Sequence, residues 1–126
     1  MTGFTQLTTI AVHVSDVERA LAFYTGSLAF EVRADLSYGE GQRWTEVAPP
    51  GGATTIAVVV PPPGTTIGVD TGIRLGTEDA AGVHAELVKA GADVDPEVFQ
   101  FPGTPKMFTL RDPDGNTLYV VQTNMD

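Results

Sequence analysis

An α+β protein built of two successive β-α-β-β-β modules is what this sequence predicts, and three observations carry the prediction. Short stretches that alternate with a period of two are interleaved with two stretches of helical periodicity. The run Pro61-Pro62-Pro63-Gly64 breaks the chain near its middle. Beyond that break the order of elements starts again.

Residues 7 to 14 (LTTIAVHV) alternate, with Thr8, Ile10, Val12 and Val14 on one face and Leu7, Thr9, Ala11 and His13 on the other, which reads as a strand. Ser15-Asp16-Val17-Glu18 has the S-x-x-E form of a capping box. Val17, Ala20, Leu21, Tyr24 and Leu28 then follow at helical spacing and make one apolar stripe. Strands are expected at 28–35, 42–48 and 54–60, the last pair joined by Pro49-Pro50-Gly51-Gly52. Residues 61–70 form a linker. Gly72 to Thr77 alternates like the first strand, and a helix is expected from Asp79 to Ala90 with Gly91 just past its end. Strands near 93–99, 106–111 and 116–123 complete the second set, and the last two turn through Asp112-Pro113-Asp114-Gly115-Asn116. A shift of 63 residues places Val12 on Leu75, Val14 on Thr77, Asp16 on Asp79 and Ala22 on Ala85. The expected organisation is one domain over 1–126, with module one at about 5–60 and module two at about 71–124.

Composition narrows the function. The 126 residues, 42% hydrophobic, suffice for one core without covalent staples, and the lack of cysteine removes disulfides and thiolate chemistry. Seven Lys and Arg against sixteen Asp and Glu give a net charge of -9, which opposes approach to a phosphate backbone. No nucleic-acid partner is expected. No apolar run approaches a membrane span, and the N-terminus lacks the order of a signal peptide. A soluble, acidic, cytoplasmic protein with no membrane partner is expected.

Several segments, in order, resemble one known family. VHVSDVERALAFYTGSLAFEV, RWTEVAPPGG, LVKAGADV and above all FTLRDPDGNTLYVVQ are similar to the vicinal oxygen chelate superfamily. That superfamily includes glyoxalase I, bleomycin-resistance proteins, fosfomycin-resistance enzymes and extradiol dioxygenases. The resemblance covers essentially the whole chain. It implies that the two modules form an incomplete eight-stranded barrel around a cavity, with helices outside. The even face of the first strand (Ile10, Val12, Val14) would meet the helix and the odd face would line the cavity. It also implies a homodimer, since relatives bind ligands in grooves shared by two subunits.

Metal-dependent members of the family place four ligands, which carry over to Thr9, Glu46, Gly72 and Tyr119. Only Glu46 is a ligand of the usual type, and a transition-metal site needs about three strong donors from protein. The chain has two histidines, His13 on the first strand and His84 on the second helix. No metal cofactor is expected, and a divalent metal is disfavoured. Parity instead gives the cavity wall Thr9, Ala11 and His13; Trp44, Glu46 and Ala48; Gly72 and Arg74; and Thr117, Tyr119 and Val121.

Candidate ligand-binding residues are Thr9, His13, Trp44, Glu46, Arg74, Phe101 and Tyr119. Trp44 offers a flat ring for stacking or a cation, or else packs a strand. Glu46 requires a partner or a raised pKa, with His13, Arg74 or a ligand ammonium as the partner. His13 and Glu46 are the candidate catalytic pair, with His13 as base or simply as a hydrogen-bonded lining residue. Arg74 clamps an anion or neutralises Glu46. Phe101 belongs to a Pro/Gly-rich loop, read as a lid or an ordinary connection. His84 is expected at the surface of its helix, and Asp112 and Asp114 are read as turn formers. Three functions remain open: a metal-free binding protein sequestering an aromatic or cationic compound, an enzyme (lyase- or dioxygenase-like, or using His13 and Glu46 for acid–base chemistry), and a domain that kept the fold and lost its pocket.

Overall fold

Asp16 and Asp79, 63 positions apart, each start a helix in the computed structural model, which describes residues 2–124. Asp16 accepts the backbone N–H groups of Glu18 (2.9 Å) and Arg19 (3.3 Å), and Asp79 accepts that of Gly82 (3.0 Å). Each thereby satisfies donors that a helix start leaves orphaned. The cap of the first helix is thus Asp16 and not Ser15, whose hydroxyl accepts from Arg19 Nη2 at 3.2 Å instead.

The chain divides into two units between Thr65 and Thr66. The first unit contains β1 (Thr9–His13), α1 (Val17–Leu21) continued by a π-helical segment (Ala22–Ser27), β2 (Glu31–Tyr38), β3 (Gln42–Ala48) and β4 (Thr55–Val59). Its four strands form one mixed sheet in the order β1-β4-β3-β2, with β1 and β4 parallel and the other pairs antiparallel. The second unit contains β5 (Asp70–Thr77), α2 (Ala80–Lys89), β6 (Asp93–Val94), β7 (Met107–Arg111) and β8 (Thr117–Gln122). Its sheet repeats the pattern as β5-β8-β7-β6, with β5 and β8 parallel. The α+β class and the twofold β-α-β-β-β order are as expected. Strands are hydrogen-bonded into two separate four-stranded sheets, not into one closed barrel. No helix is long and apolar enough to cross a membrane among the described residues.

Each sheet buries one apolar face, and in the first the central strand β4 also buries Thr55 and Ala57 on the other. In the first unit Val12, Val14, Val47, Ile56 and Val58 join Val17, Ala20 and Tyr24 in the core. Ile10, expected on that face, is 37% exposed although its ladder partner Ile56 is buried, because β1 is the edge strand of the sheet. In the second unit Phe108, Leu110, Leu118 and Val120 pack with Ile73, Ala80 and Leu87. Buried polar groups there are satisfied: Gln122 Oε1 accepts from the Ala80 N–H at 3.0 Å, and Asn116 Oδ1 accepts from Gly68 and Val69, both at 3.0 Å. Asp112 Oδ1 in turn accepts from the backbone of Asp114 (2.9 Å) and Asn116 (3.0 Å), the turn-forming role read from the sequence.

Three boundaries moved for local reasons. The strand expected at 28–35 begins only at Glu31, because the first helix runs on to Ser27 and Ala29 then takes a φ of 55°. The strand expected at 93–99 is reduced to Asp93–Val94, with a single later bridge between Phe99 and Met107. The linker ends one residue early, since β5 begins at Asp70, and Gly72 at a φ of 70° forms an irregularity in the pairing with β8.

Candidate functional site

Strand register decides which side chains share a face, because partners across a ladder point the same way. In the first sheet Thr9 faces Thr55, Ala11 faces Ala57 and His13 faces Val59. Ala57 also faces Glu46, which faces Ala34, and Trp44 faces Leu36. Thr9, His13, Trp44 and Glu46 therefore lie on one face, opposite the one that carries Val12, Val47 and Val58. Val59, Trp44, Glu46 and Ala34 are half-buried there, and Leu36 is 59% exposed.

The chemistry of that face centres on Glu46. Thr55 Oγ1 donates to its Oε1 at 2.6 Å, and the Trp44 indole N–H donates to its Oε2 at 2.7 Å. Thr9 Oγ1 donates in turn to the Thr55 carbonyl at 3.2 Å. The Thr55 hydroxyl and, next, the Trp44 indole hold the Glu46 carboxyl below the usual carboxylate range, against a smaller opposing effect of burial. Glu46 was expected to find His13 or Arg74, or to have a raised pKa. Its partners are two neutral donors and its pKa is lowered. His13 lies on the same face, but on β1, with β4 between it and Glu46, and level with Val59 where Glu46 is level with Ala57.

In the second sheet Arg74 faces Tyr119, which faces Thr109. The Tyr119 hydroxyl donates to Asp70 Oδ2 at 2.6 Å, and the Gly72 N–H donates to Asp70 Oδ1 at 3.0 Å. Arg74 lies over the Tyr119 ring, 4.4 Å from its centroid, and donates from Nη1 to the Gly72 carbonyl at 2.7 Å. The bond to Asp70 raises the Tyr119 pKa and, with the Gly72 N–H, lowers that of Asp70. Along the same face Arg111 bridges Asp95 (3.1 Å) and Asp93 (2.9 Å). Burial pushes Asp95 up, but the Thr109 N–H and hydroxyl together with Arg111 outweigh it and leave its pKa lowered. Phe101 stands apart, 63% exposed, in a loop turned by Thr104, whose N–H bonds the Phe101 carbonyl at 3.0 Å. His84, expected at the surface, is half-buried: its Nε2 donates to the Asp95 carbonyl at 2.7 Å and its ring meets Phe108 edge-on.

Internal symmetry corrects one carry-over. β4 lies between β1 and β3 as β8 lies between β5 and β7. Tyr119 faces Arg74 and Thr109, just as Ala57 faces Ala11 and Glu46. The counterpart of Tyr119 is thus Ala57, and that of Glu46 is Thr109; the two presumed ligand positions do not correspond. The donor set also fits a metal poorly. Glu46 has both oxygens engaged, the Thr9 and Tyr119 hydroxyls are donating, and Gly72 has no side chain. No three His, Asp or Glu side chains form a group able to hold a metal among the described residues.

A family model described as the glyoxalase/bleomycin resistance protein/dioxygenase superfamily matches residues 6–120. The chain belongs to this superfamily. A superfamily member from Sphaerobacter thermophilus DSM 20745 is similar in structure, with a TM-score of 0.89, 30% identity, and coverage of 94% of this chain and 98% of that one. TnmS3 from Streptomyces sp. CB03234, described as an antibiotic binding protein, matches with a TM-score of 0.86 and 30% identity over 98% of this chain and 100% of its own. In sequence, YetH of Bacillus subtilis (strain 168) is 39% identical over 51 residues, which span 40% of this chain and 42% of that protein.

Sequence parity grouped Thr9, His13, Trp44 and Glu46, and Arg74 with Tyr119, as the ladders do, but gave no sign of Thr55 or Asp70. Both are side chains that hold a neighbour, and short polar residues at strand starts give no periodic signal. Trp44 and Glu46, two apart on one strand, were legible as a same-face pair.

Proposed function

We propose that this chain is a small-molecule-binding protein of the glyoxalase/bleomycin-resistance type, which holds its ligand without turnover and without a metal. The observation that carries the reading is the state of Glu46. A carboxylate whose two oxygens accept from Thr55 and Trp44, and whose pKa is lowered, is a weak base, ill suited to taking a proton from a substrate near neutral pH. The same bonds hold the Trp44 ring in one orientation beside Leu36, which suits stacking against a flat ligand. The likeness to TnmS3, an antibiotic binding protein, supports a ligand of antibiotic kind. In this reading the ligand is an aromatic or cationic compound, and the protein works as a homodimer in the cytoplasm.

Titration of the purified protein with a panel of antibiotics, bleomycin and planar aromatic compounds among them, tests the reading. Trp44 is the only tryptophan, so its fluorescence reports on this face directly. Saturable quenching with the compound recovered unchanged by mass spectrometry is expected. Catalytic conversion of a panel member, or metal retained stoichiometrically after chelator dialysis, would overturn it.

A further inference from the structure

The second sheet shows how this chain binds a cation when it supplies one itself. An aromatic ring, Tyr119, donates its hydroxyl to a carboxylate, Asp70, and a planar guanidinium, Arg74, lies on the face of that ring. Donation to an anion draws electron density into the ring and strengthens the negative face that attracts cations. The first sheet has the same ring–carboxylate couple at a different place: the Trp44 indole N–H donates to Glu46. Indole is the best of the natural rings for this interaction. What differs is the cation. At the position that corresponds to Arg74 the first sheet has Ala11, which faces Ala57 on β4 and not the indole on β3.

Charge and shape on the first face agree on what it would accept. Both donors to Glu46 are neutral, so the carboxylate keeps its full negative charge beside the indole. Leu36 faces Trp44 across the ladder and, with Tyr38 further along β2, is exposed, which gives apolar cover for a flat molecule at the ring's edge. The basic side chains beside this face are His13, on the far side of β4, and Arg33 at the β2 bulge, which is engaged by Glu31 and by the Pro49 and Gly52 carbonyls.

We propose that the Trp44 face binds a planar organic cation carried by the ligand, with Glu46 as the residue that positions the indole and selects for positive charge. The proposal rests on the binding function above and names the class of ligand for it. Bound to the face, the cation takes the part that Arg74 plays over Tyr119.

Two probes of nearly equal shape separate charge from fit: N-methylacridinium, a permanent cation, and acridine, uncharged at pH 8. Affinities are read by calorimetry and by quenching of Trp44. The wild-type protein is expected to prefer the cation by roughly tenfold, within the range of a partly desolvated cation–π contact. Glu46→Gln keeps an acceptor near the indole and removes the charge, and it is expected to bring the ratio close to one. A merely structural role for Glu46 would alter both affinities together and leave the ratio in place. The wild-type ratio tests the idea even if the variant fails to fold: equal affinities, or tighter acridine, overturn it. If neither probe binds but an uncharged panel compound does, charge selection falls and the binding function stands. If neither probe nor any panel compound binds, both fall.

Discussion

The two sheets share strand order, helix caps and the side they bury, yet their open faces differ in how charge is handled. On the second, acids meet bases: Arg111 joins Asp93 and Asp95, and Arg74 contributes to the lowered pKa of Asp70. On the first, Glu46 is held by a hydroxyl and an indole, both neutral. A duplicated scaffold thus separates what the fold requires from what a site requires. Caps and apolar rows recur in both halves because any β-α-β-β-β unit needs them. A carboxylate held by two neutral donors, as Glu46 is, is not required by the fold, and that makes the first sheet the more informative half.

The largest effect is expected at the point where the second unit ties its incoming chain to its last turn. Asn116→Ala removes the acceptor of the Gly68 and Val69 N–H groups and the donor to Asp112 Oδ2, at a cost of about 3 kcal/mol in chemical denaturation. A cost below about 1 kcal/mol would show that water replaces the side chain freely.

The paired caps come next. Asp16→Ala and Asp79→Ala should each lower stability by about 1 kcal/mol. Asp16→Ala should cost more, because Asp16 accepts two backbone N–H groups and Asp79 accepts one. Equal or reversed shifts in thermal midpoint would mean that packing, not capping, sets each helix start.

The smallest effects are read at single carboxylates. Thr55→Val should raise the Glu46 pKa, and Tyr119→Phe should raise that of Asp70, both followed by NMR titration of the side-chain carboxyl carbons. Both folded-state values lie below the ordinary ones. Each carboxylate therefore contributes stability above its unfolded pKa, and that contribution is lost as pH falls through the depressed folded value. The wild-type protein should lose stability on acidification below about pH 4.5, and Thr55→Val should show a shallower loss there. An unmoved Glu46 in Thr55→Val would put the origin of its acidity elsewhere.

Much of this was legible in the sequence, for physical reasons that also explain the misses. Alternation and the 63-residue recurrence gave the modules, since period-two burial leaves its mark on residue type. The start of β2 was misplaced because nothing apolar marks a π-helical turn; the Thr25 hydroxyl bonded to the Leu21 carbonyl (2.6 Å) and Ala29 at positive φ are set by tertiary fit. Parity told which face Glu46 occupies but not which strand lies beside it. The correspondence of Tyr119 with Ala57 became visible only from strand order. Face follows from local chemistry, whereas neighbourhood is a property of topology.

The Asn116 clamp also shows where the chain tolerates being rewritten. It grips the backbone from Gly68 onward, and β4 ends at Val59. Between them the proline stretch carries little more than one backbone bond, from Thr65 N–H to the Pro62 carbonyl at 3.3 Å. A peptide spliced in after Pro63 would interrupt no ladder, no cap and no clamp. The chain passes from one unit to the other at this seam, and a protein engineer could use it to attach a reporter or an affinity handle.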